Sequence, residues 1–397
     1  MFKQSVIAVL GTFIASVSYS QKVISETDAV NLALKNSKNI TAASLSVKQQ
    51  QQLLNSAINL PNPELFIEAP TGNFYTPSIT QSLEFPGVYA KQYQLQKQQI
   101  GFTEKEKTLT EAEVKYQVKQ LYLLLQYADT LQQQLYVQDT AYESISKSAG
   151  RQFDAGQIDY LQKTFAETQF GEIHNQYIQV QQNVNALKAQ LQFITGLQEP
   201  LNAEPFNMAA YQMNGFETNY DSAALLANPS FQLSKQAETI NEKNIELQKN
   251  KALPGLALGY FNQGEKSTPV GNRFRFGITV PLWFWQYKAN INASKTALEV
   301  SQQKTNGLQQ QLSVQLIQAK SDLLANMQSL KYYQTTGLKK ANDIITTAKR
   351  FLETGESDYI NYLRNINDAY SIQLKYLDAI KNFNQSIITI NFLTGTL

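Results

Sequence analysis

Few side chains in this sequence are placed to do chemistry. The single histidine, His174, lies mid-helix beside Glu172, short of the ligand set that a metal site needs. Asp159 and Asp358 occupy matching positions and are the carboxylates best placed for general acid work. A carboxylate just ahead of a helical run is equally an ordinary N-cap. No phosphate-binding loop, nucleophile elbow or dinucleotide fingerprint occurs. Four methionines are too few for a thioether copper cluster. With no cysteine, thiol catalysis, thiolate metal sites, disulfides and lipidation on an N-terminal cysteine are all excluded. The expectation is a protein that is not an enzyme and carries no cofactor and no metal.

The two aspartates belong to a stretch that the chain contains twice. Phe153-Asp154-Ala155-Gly156-Gln157-Ile158-Asp159-Tyr160-Leu161 recurs as Leu352-Glu353-Thr354-Gly355-Glu356-Ser357-Asp358-Tyr359-Ile360. The endings Phe193-Ile194-Thr195-Gly196 and Phe392-Leu393-Thr394-Gly395 recur at the same offset of 199 positions. Between them, apolar pairs such as Tyr177/Val180, Val184/Leu187 and Leu191/Ile194 keep a 3-4 heptad spacing, so each run is an amphipathic helix closed by glycine. Such a duplication points to one pseudo-symmetric body rather than separate domains. The repeats divide as residues 21–197 and 221–397, joined by a connector at 198–220.

Lys+Arg 34 against Asp+Glu 32 leaves +2, a balance that gives nucleic acid no purchase. Residues 1–20, with Lys3 before the apolar run Val6 to Val17 and small residues at Ser18 and Ser20, read as an export signal. No later stretch approaches the ~18 consecutive apolar residues of a membrane-spanning helix. If the mature chain crosses a membrane, strands must do it.

Strand patterns occur in two places. Around 64–85, Leu65, Ile67, Ile79 and Leu83 alternate with Glu64, Phe66, Glu68, Thr80, Ser82 and Glu84, across turn chemistry at Pro70-Thr71-Gly72-Asn73. Around 255–282, Leu256, Leu258 and Tyr260 are followed by Phe274, Phe276 and Ile278, which alternate with Arg273, Arg275, Gly277 and Thr279. Each hairpin leads into a very long helix, about 87–149 and about 284–350, and each long helix into a return helix, about 157–195 and about 356–394. Strands in lipid must close into a barrel, and the smallest bacterial barrels have eight. Four strands per chain therefore require several chains to share one barrel. Glu64, Glu68, Glu84, Arg273 and Arg275 would then face its water-filled lumen, with Trp283 and Trp285 at the membrane interface. The alternative at this level is that the aromatics form an ordinary sheet core.

On these residues the chain resembles the TolC-like outer-membrane efflux family over essentially its whole mature length. The paired tips, the paired helix endings and the Leu60-Pro61 and Leu253-Pro254 stops before each hairpin carry the resemblance. Ile278-Thr279-Val280-Pro281-Leu282 followed by a helix is similar to the cation-efflux branch. The resemblance implies an α+β membrane protein, with antiparallel coiled-coil hairpins forming an α-barrel and four strands per chain entering a twelve-strand barrel in a homotrimer. It implies an outer-membrane duct reaching into the periplasm, joined by a periplasmic adaptor to an inner-membrane pump, in drug or metal efflux or in type I secretion. The tips Gly156, Asp159, Tyr160, Gly355, Ser357, Asp358 and Tyr359 match the family's adaptor-docking region. Where some members project acids into the closed entrance, this chain has Asn361 and Arg364. Arg364, paired with Asp358 or Asp368, would latch the shut gate; the alternative is a solvated arginine on the outer face. The reading of another class is an exported periplasmic coiled-coil scaffold or adaptor without a pore.

Overall fold

The computed structural model describes residues 22–68, 76–197, 199, 201–206, 222–262 and 269–397. The export signal, the turn at 70–73 and most of the connector lie outside them.

The first repeat opens with a short strand β1 (Lys22–Ile24) and helices α1 (Glu26–Asn36) and α2 (Lys38–Leu54). Strands β2 (Glu64–Glu68) and β3 (Thr76–Leu83), helix α3 (Pro86–Asp154), helix α4 (Tyr160–Thr195) and strand β4 (Leu201–Ala203) follow. The second repeat runs through α5 (Pro229–Lys251), β5 (Gly255–Phe261), β6 (Phe274–Thr279), α6 (Phe284–Tyr332), α7 (Leu338–Glu353) and α8 (Tyr359–Thr394). Helix α3 has 69 residues, a rod of roughly 100 Å. Pro86 starts it at a position where a missing N–H does no harm, and no later proline interrupts it. So long a helix is held by side-chain packing along its length, against α2, α4, α5 and α8 in turn.

The core is a string of small clusters, and the two repeats build equivalent ones. Val118, Leu121 and Leu125 of α3 pack with Val184, Leu187 and Leu191 of α4. Leu316, Ala319 and Leu323 of α6 pack with Phe383, Ile387 and Ile390 of α8. Asparagines tie each return helix to the start of its repeat. Asn36 donates to the Thr195 carbonyl at 2.6 Å, and the buried Asn228 donates to the Leu393 carbonyl at 3.0 Å while capping α5. The sequence reading did not include the parallel pair β1–β4. Tyr122 links the two strands at their C-terminal end, donating to the Ile24 carbonyl at 2.8 Å and accepting from the Glu204 N–H at 2.9 Å.

The second long helix is not one uninterrupted α-helix. Tyr333–Gly337 form a π-helical turn between α6 and α7. The repeat explains it. Residues 284–353 number one more than the 69 of α3. Buried Val118, Leu121 and Leu125 have buried counterparts 198 positions on, in Leu316, Ala319 and Leu323. Buried Tyr142 and Ala149 have theirs 199 positions on, in Ala341 and Ala348. One extra residue would turn every later side chain by about 100° in an α-helix. The π-turn absorbs it, so the buried faces above and below stay aligned.

Strands β2-β3-β5-β6 form one antiparallel sheet in that order, leaving β2 and β6 as open edges. Deleting Thr335 should convert the π-turn to α-helix and leave both buried faces in register. Its melting temperature should stay within about 3 °C of the parent, whereas deletion of Gln328 should lower it by clearly more. Thermal melts followed by circular dichroism would decide it, and equal losses would refute the insertion account.

Candidate functional site

The register of the sheet sorts its side chains into two faces. Leu65 pairs with Ile79, Ile79 with Tyr260, and Tyr260 with Phe274. Leu258 pairs with Phe276 and Leu256 with Ile278 on the same side. One face is therefore apolar across all four strands, interrupted by Gln81 opposite Leu258. Leu65, Ile67, Phe276 and Ile278 are 78, 74, 83 and 69% exposed. A sheet core would bury them, so within the chain this face is not a core.

The opposite face carries Glu64, Glu68, Thr80, Ser82, Arg275 and Thr279. Glu64, Thr80, Gly259 and Arg275 form one row across the sheet. The Arg275 guanidinium stacks 4.0 Å above the Phe261 ring. Arg273 sits in a short 3₁₀ turn before β6 and donates to Asn262 at 2.6 Å. Glu84 lies past the end of β3, its N–H donating to the Tyr89 hydroxyl. Trp283 and Trp285 are exposed where the sheet meets α6, with ring centres 5.1 Å apart.

At the far ends of the long helices the two tips are built alike. Gly156 and Gly355 take φ of +68° and +76°. Each closes its helix by the same pair of bonds. Gln157 N–H reaches the Gln152 carbonyl at 2.8 Å and Glu356 N–H the Phe351 carbonyl at 2.9 Å. Asp159 then caps α4 by accepting from the Gln162 N–H at 2.8 Å, and Asp358 caps α8 by accepting from the Asn361 N–H at 2.7 Å. Both aspartates are thus structural caps. Tyr160 is 68% exposed, whereas Tyr359 is buried against the first repeat, donating to the Ile145 carbonyl at 3.0 Å. Tyr359, expected on the docking surface, is instead a contact between the helix hairpins. Ser357 is half-buried beside it.

The expected latch at Arg364 is not made within the chain. The Asp358 carboxylate is engaged by the Asn361 backbone and side-chain amide, the latter at 2.9 Å. Arg364 is exposed, and among the described residues it forms no ion pair with Asp358 or Asp368. The contacts that do join the two hairpins escaped the sequence reading. Tyr127 donates to Asp378 at 2.8 Å, and Lys381 lies over its ring while pairing with the same carboxylate at 3.1 Å. Tyr142 packs on Tyr370 with ring centres 6.2 Å apart. Burial holds the phenols of Tyr127 and Tyr142 well above their ordinary range, so each stays protonated at working pH. Tyrosines at heptad spacing read only as core, and nothing local in the sequence marks them as cross-links. His174 pairs with Asp139 across α3 and α4 at 3.0 Å. Among the described residues no group of three His, Asp or Glu side chains could hold a metal.

The tip geometry generates a direct test. Gly156→Val places a β-branched residue at positive φ, at about 1–2 kcal/mol. Hydrogen exchange at the Gln157 amide should quicken roughly tenfold while global melting stays unchanged. Unchanged exchange would contradict the left-handed cap.

Residues 221–396 match the model of a family described as outer membrane efflux protein. No curated protein matches the sequence. The fold is similar to that of several solved outer-membrane channels. CusC superimposes with a TM-score of 0.79 at 16% identity, covering 97% of this chain and 95% of its own. The Campylobacter jejuni channel CmeC gives 0.76 at 17% identity, covering 94% and 85%. The open state of Neisseria gonorrhoeae MtrE gives 0.73 at 12% identity, covering 93% and 88%. The matched family region is the second repeat, and the first repeat reproduces its elements in the same order. Residues 221–396 are thus similar to the outer membrane efflux protein family, and nearly the whole chain has the fold of solved outer-membrane channels.

Proposed function

We propose that three copies close head to tail into one outer-membrane channel, the exit duct of a tripartite efflux assembly. The observation that carries this reading is the sheet: four strands, two open edges and one apolar face left exposed. Unpaired edges and loose backbone have no place in lipid, and four strands cannot close by themselves. Three copies give twelve strands with the apolar face to lipid and the face bearing Glu64, Glu68, Arg273 and Arg275 to water. Glu84, Trp283 and Trp285 then mark the level of the periplasmic interface.

Below the membrane, the hairpins α3/α4 and α6–α7/α8 continue the wall through the periplasm. Their exposed tips at Gly156, Asp159, Tyr160, Gly355 and Asp358 form the surface offered to a periplasmic adaptor, which in turn joins an inner-membrane pump. In this reading the conduit is passive and the pump chooses the cargo. Asn361 and Arg364 are exposed one turn inside the second tip, so three-fold closure gathers three Arg364 near the entrance.

The test is reconstitution of the purified chain in a planar bilayer, alongside outer-membrane fractionation. A channel yields detergent-stable trimers in outer membrane and unit conductance steps. Free periplasmic monomer with no conductance would favour the scaffold. Phe276→Arg should put a charge against lipid at about 2–4 kcal/mol and abolish trimer insertion, whereas Thr279→Arg, facing water, should insert at near-parental yield. Equal yields would refute the assignment of faces. Arg364→Glu should shift selectivity towards cations, and unchanged selectivity would remove Arg364 from the entrance.

A further inference from the structure

The two open edges of the sheet carry opposite charges on the same face. Edge strand β2 presents Glu64 and Glu68, and edge strand β6 presents Arg275. Pairing β2 with a second β2 would set carboxylate near carboxylate, and β6 with β6 would set guanidinium near guanidinium. Only β6 against β2 brings unlike charges together.

The duplication fixes the register of that joint. Leu60-Pro61 and Leu253-Pro254 place β2 on β5 with an offset of 193 positions, so that Glu64 corresponds to Ala257 and Glu68 to Phe261. Glu64 pairs with Thr80 in the first hairpin and Ala257 with Gly277 in the second, so β3 falls on β6 with Ser78 on Arg275. Within the chain the repeats join by β3 pairing with β5, Ser78 opposite Phe261 and Thr80 opposite Gly259. The same joint repeated between copies sets Arg275 opposite Glu68 of the neighbour, Gly277 opposite Phe66 and Thr279 opposite Glu64. On the apolar face it sets Phe276 opposite Ile67 and Ile278 opposite Leu65.

Two further observations agree with this joint. The row from Glu64 to Arg275 would continue into Glu68 of the next copy, climbing four residues per copy and so about twelve around twelve strands. At ~3.3 Å per residue and ~4.8 Å per strand that is a tilt of roughly 35°, within the range of real barrels. The helices repeat the pattern. Phe392 stacks on Tyr116 at 4.5 Å where the repeats meet. The counterparts of these rings are Phe193 and Val314, and they are 89 and 66% exposed. Each lies on the side of the chain that this joint would cover.

Resting on the channel reading above, we infer that Arg275 forms an ion pair with Glu68 of the neighbouring copy, and that this pair sets the register of the barrel seam. Three such pairs line the lumen near its outer end. The occupant of each open edge is a second copy of this chain. Stacked by its face on Phe261, the guanidinium addresses the carboxylate by its edge, and Gly277 leaves room for the Phe66 ring beside it.

The absence of cysteine makes the test unambiguous. The trimer of the parent chain is established first by mass in detergent. In one chain Glu68 and Arg275 lie three strand spacings apart, roughly 14 Å, beyond the ~7 Å that a disulfide spans. A chain with Glu68→Cys and Arg275→Cys should therefore oxidise to a covalent trimer, and one with Glu64→Cys and Arg275→Cys should not. Arg275→Glu should cut trimer yield about tenfold, and adding Glu68→Arg should restore it to within about twofold. Cross-linking through position 64 instead, a parental trimer in which neither pair cross-links, or a charge swap without rescue would overturn the seam and leave the channel reading standing. A parent chain that forms no trimer would remove both.

Discussion

Backbone hydrogen bonding at the edges of a four-stranded sheet is the constraint on which the rest of the molecule depends. β2 and β6 each turn a row of N–H and C=O groups outward, and among the described residues no element covers the sheet's apolar face. In water such edges invite uncontrolled pairing, and in lipid they are forbidden. The chain therefore makes structural sense as part of a closed ring. The long helices obey the same logic, since α2 and α4 end one side of the packed layers and α6 and α7 the other. Sheet and helices leave their open sides on the same repeats, first on one flank and second on the other, which is the condition for a single head-to-tail joint running through all layers.

The duplication and the long amphipathic helices were plain in the sequence because they rest on period and on glycine, which are local signals. Gly156 and Gly355 sit where a left-handed residue is needed, and Gly196 and Gly395 likewise at the return-helix ends. The alternation in β2 and β6 sorted lipid-type from water-type side chains because a strand permits only two faces. What stayed hidden was tertiary. The pairing β1–β4 involves strands of three residues, too short for any pattern. The buried position of Tyr359 depends on Ile145, 214 residues away, and nothing in its own neighbourhood distinguishes it from exposed Tyr160. Within the chain Asp358 does not pair with Arg364 because its carboxylate is committed to its own helix terminus.

The π-turn at 333–337 lies between these extremes. Its cause was present in the sequence, since the buried positions of the long helices match at one offset above it and another below. Comparing the tips alone, where the offset is constant, concealed the change. The site is where the second hairpin departs from the first, and Gly337 is packed against Ile372 and the ring of Tyr333. A helix that carries an insertion without losing its buried face must distribute the extra residue in one turn, and a small side chain there lets α8 approach.

The interior of the hairpin pair adds a last consideration. Gln134, Gln138 and Tyr142 stand one turn apart on α3, each with a buried side-chain atom lacking a partner among the described residues. Gln138 is 2% exposed. Gln134 and Gln138 line an open groove of about 260 Å³ that also borders Tyr370 and Gln373 of α8. A wholly apolar joint between hairpins would resist any change of spacing, because separating it exposes hydrocarbon. A joint with amides and phenols along part of its length can admit water as it opens, and a polar atom left without a partner in the closed joint then gains one. Above it stands the Tyr127–Asp378–Lys381 cluster and below it the Tyr359–Ile145 bond, both polar as well. Hydrocarbon joins the two hairpins as well, through Tyr142, Ile173, Leu363 and Ile366 in one cluster and Leu131, Leu377 and Ile380 in another, so the polar contacts interrupt an apolar seam rather than replace it.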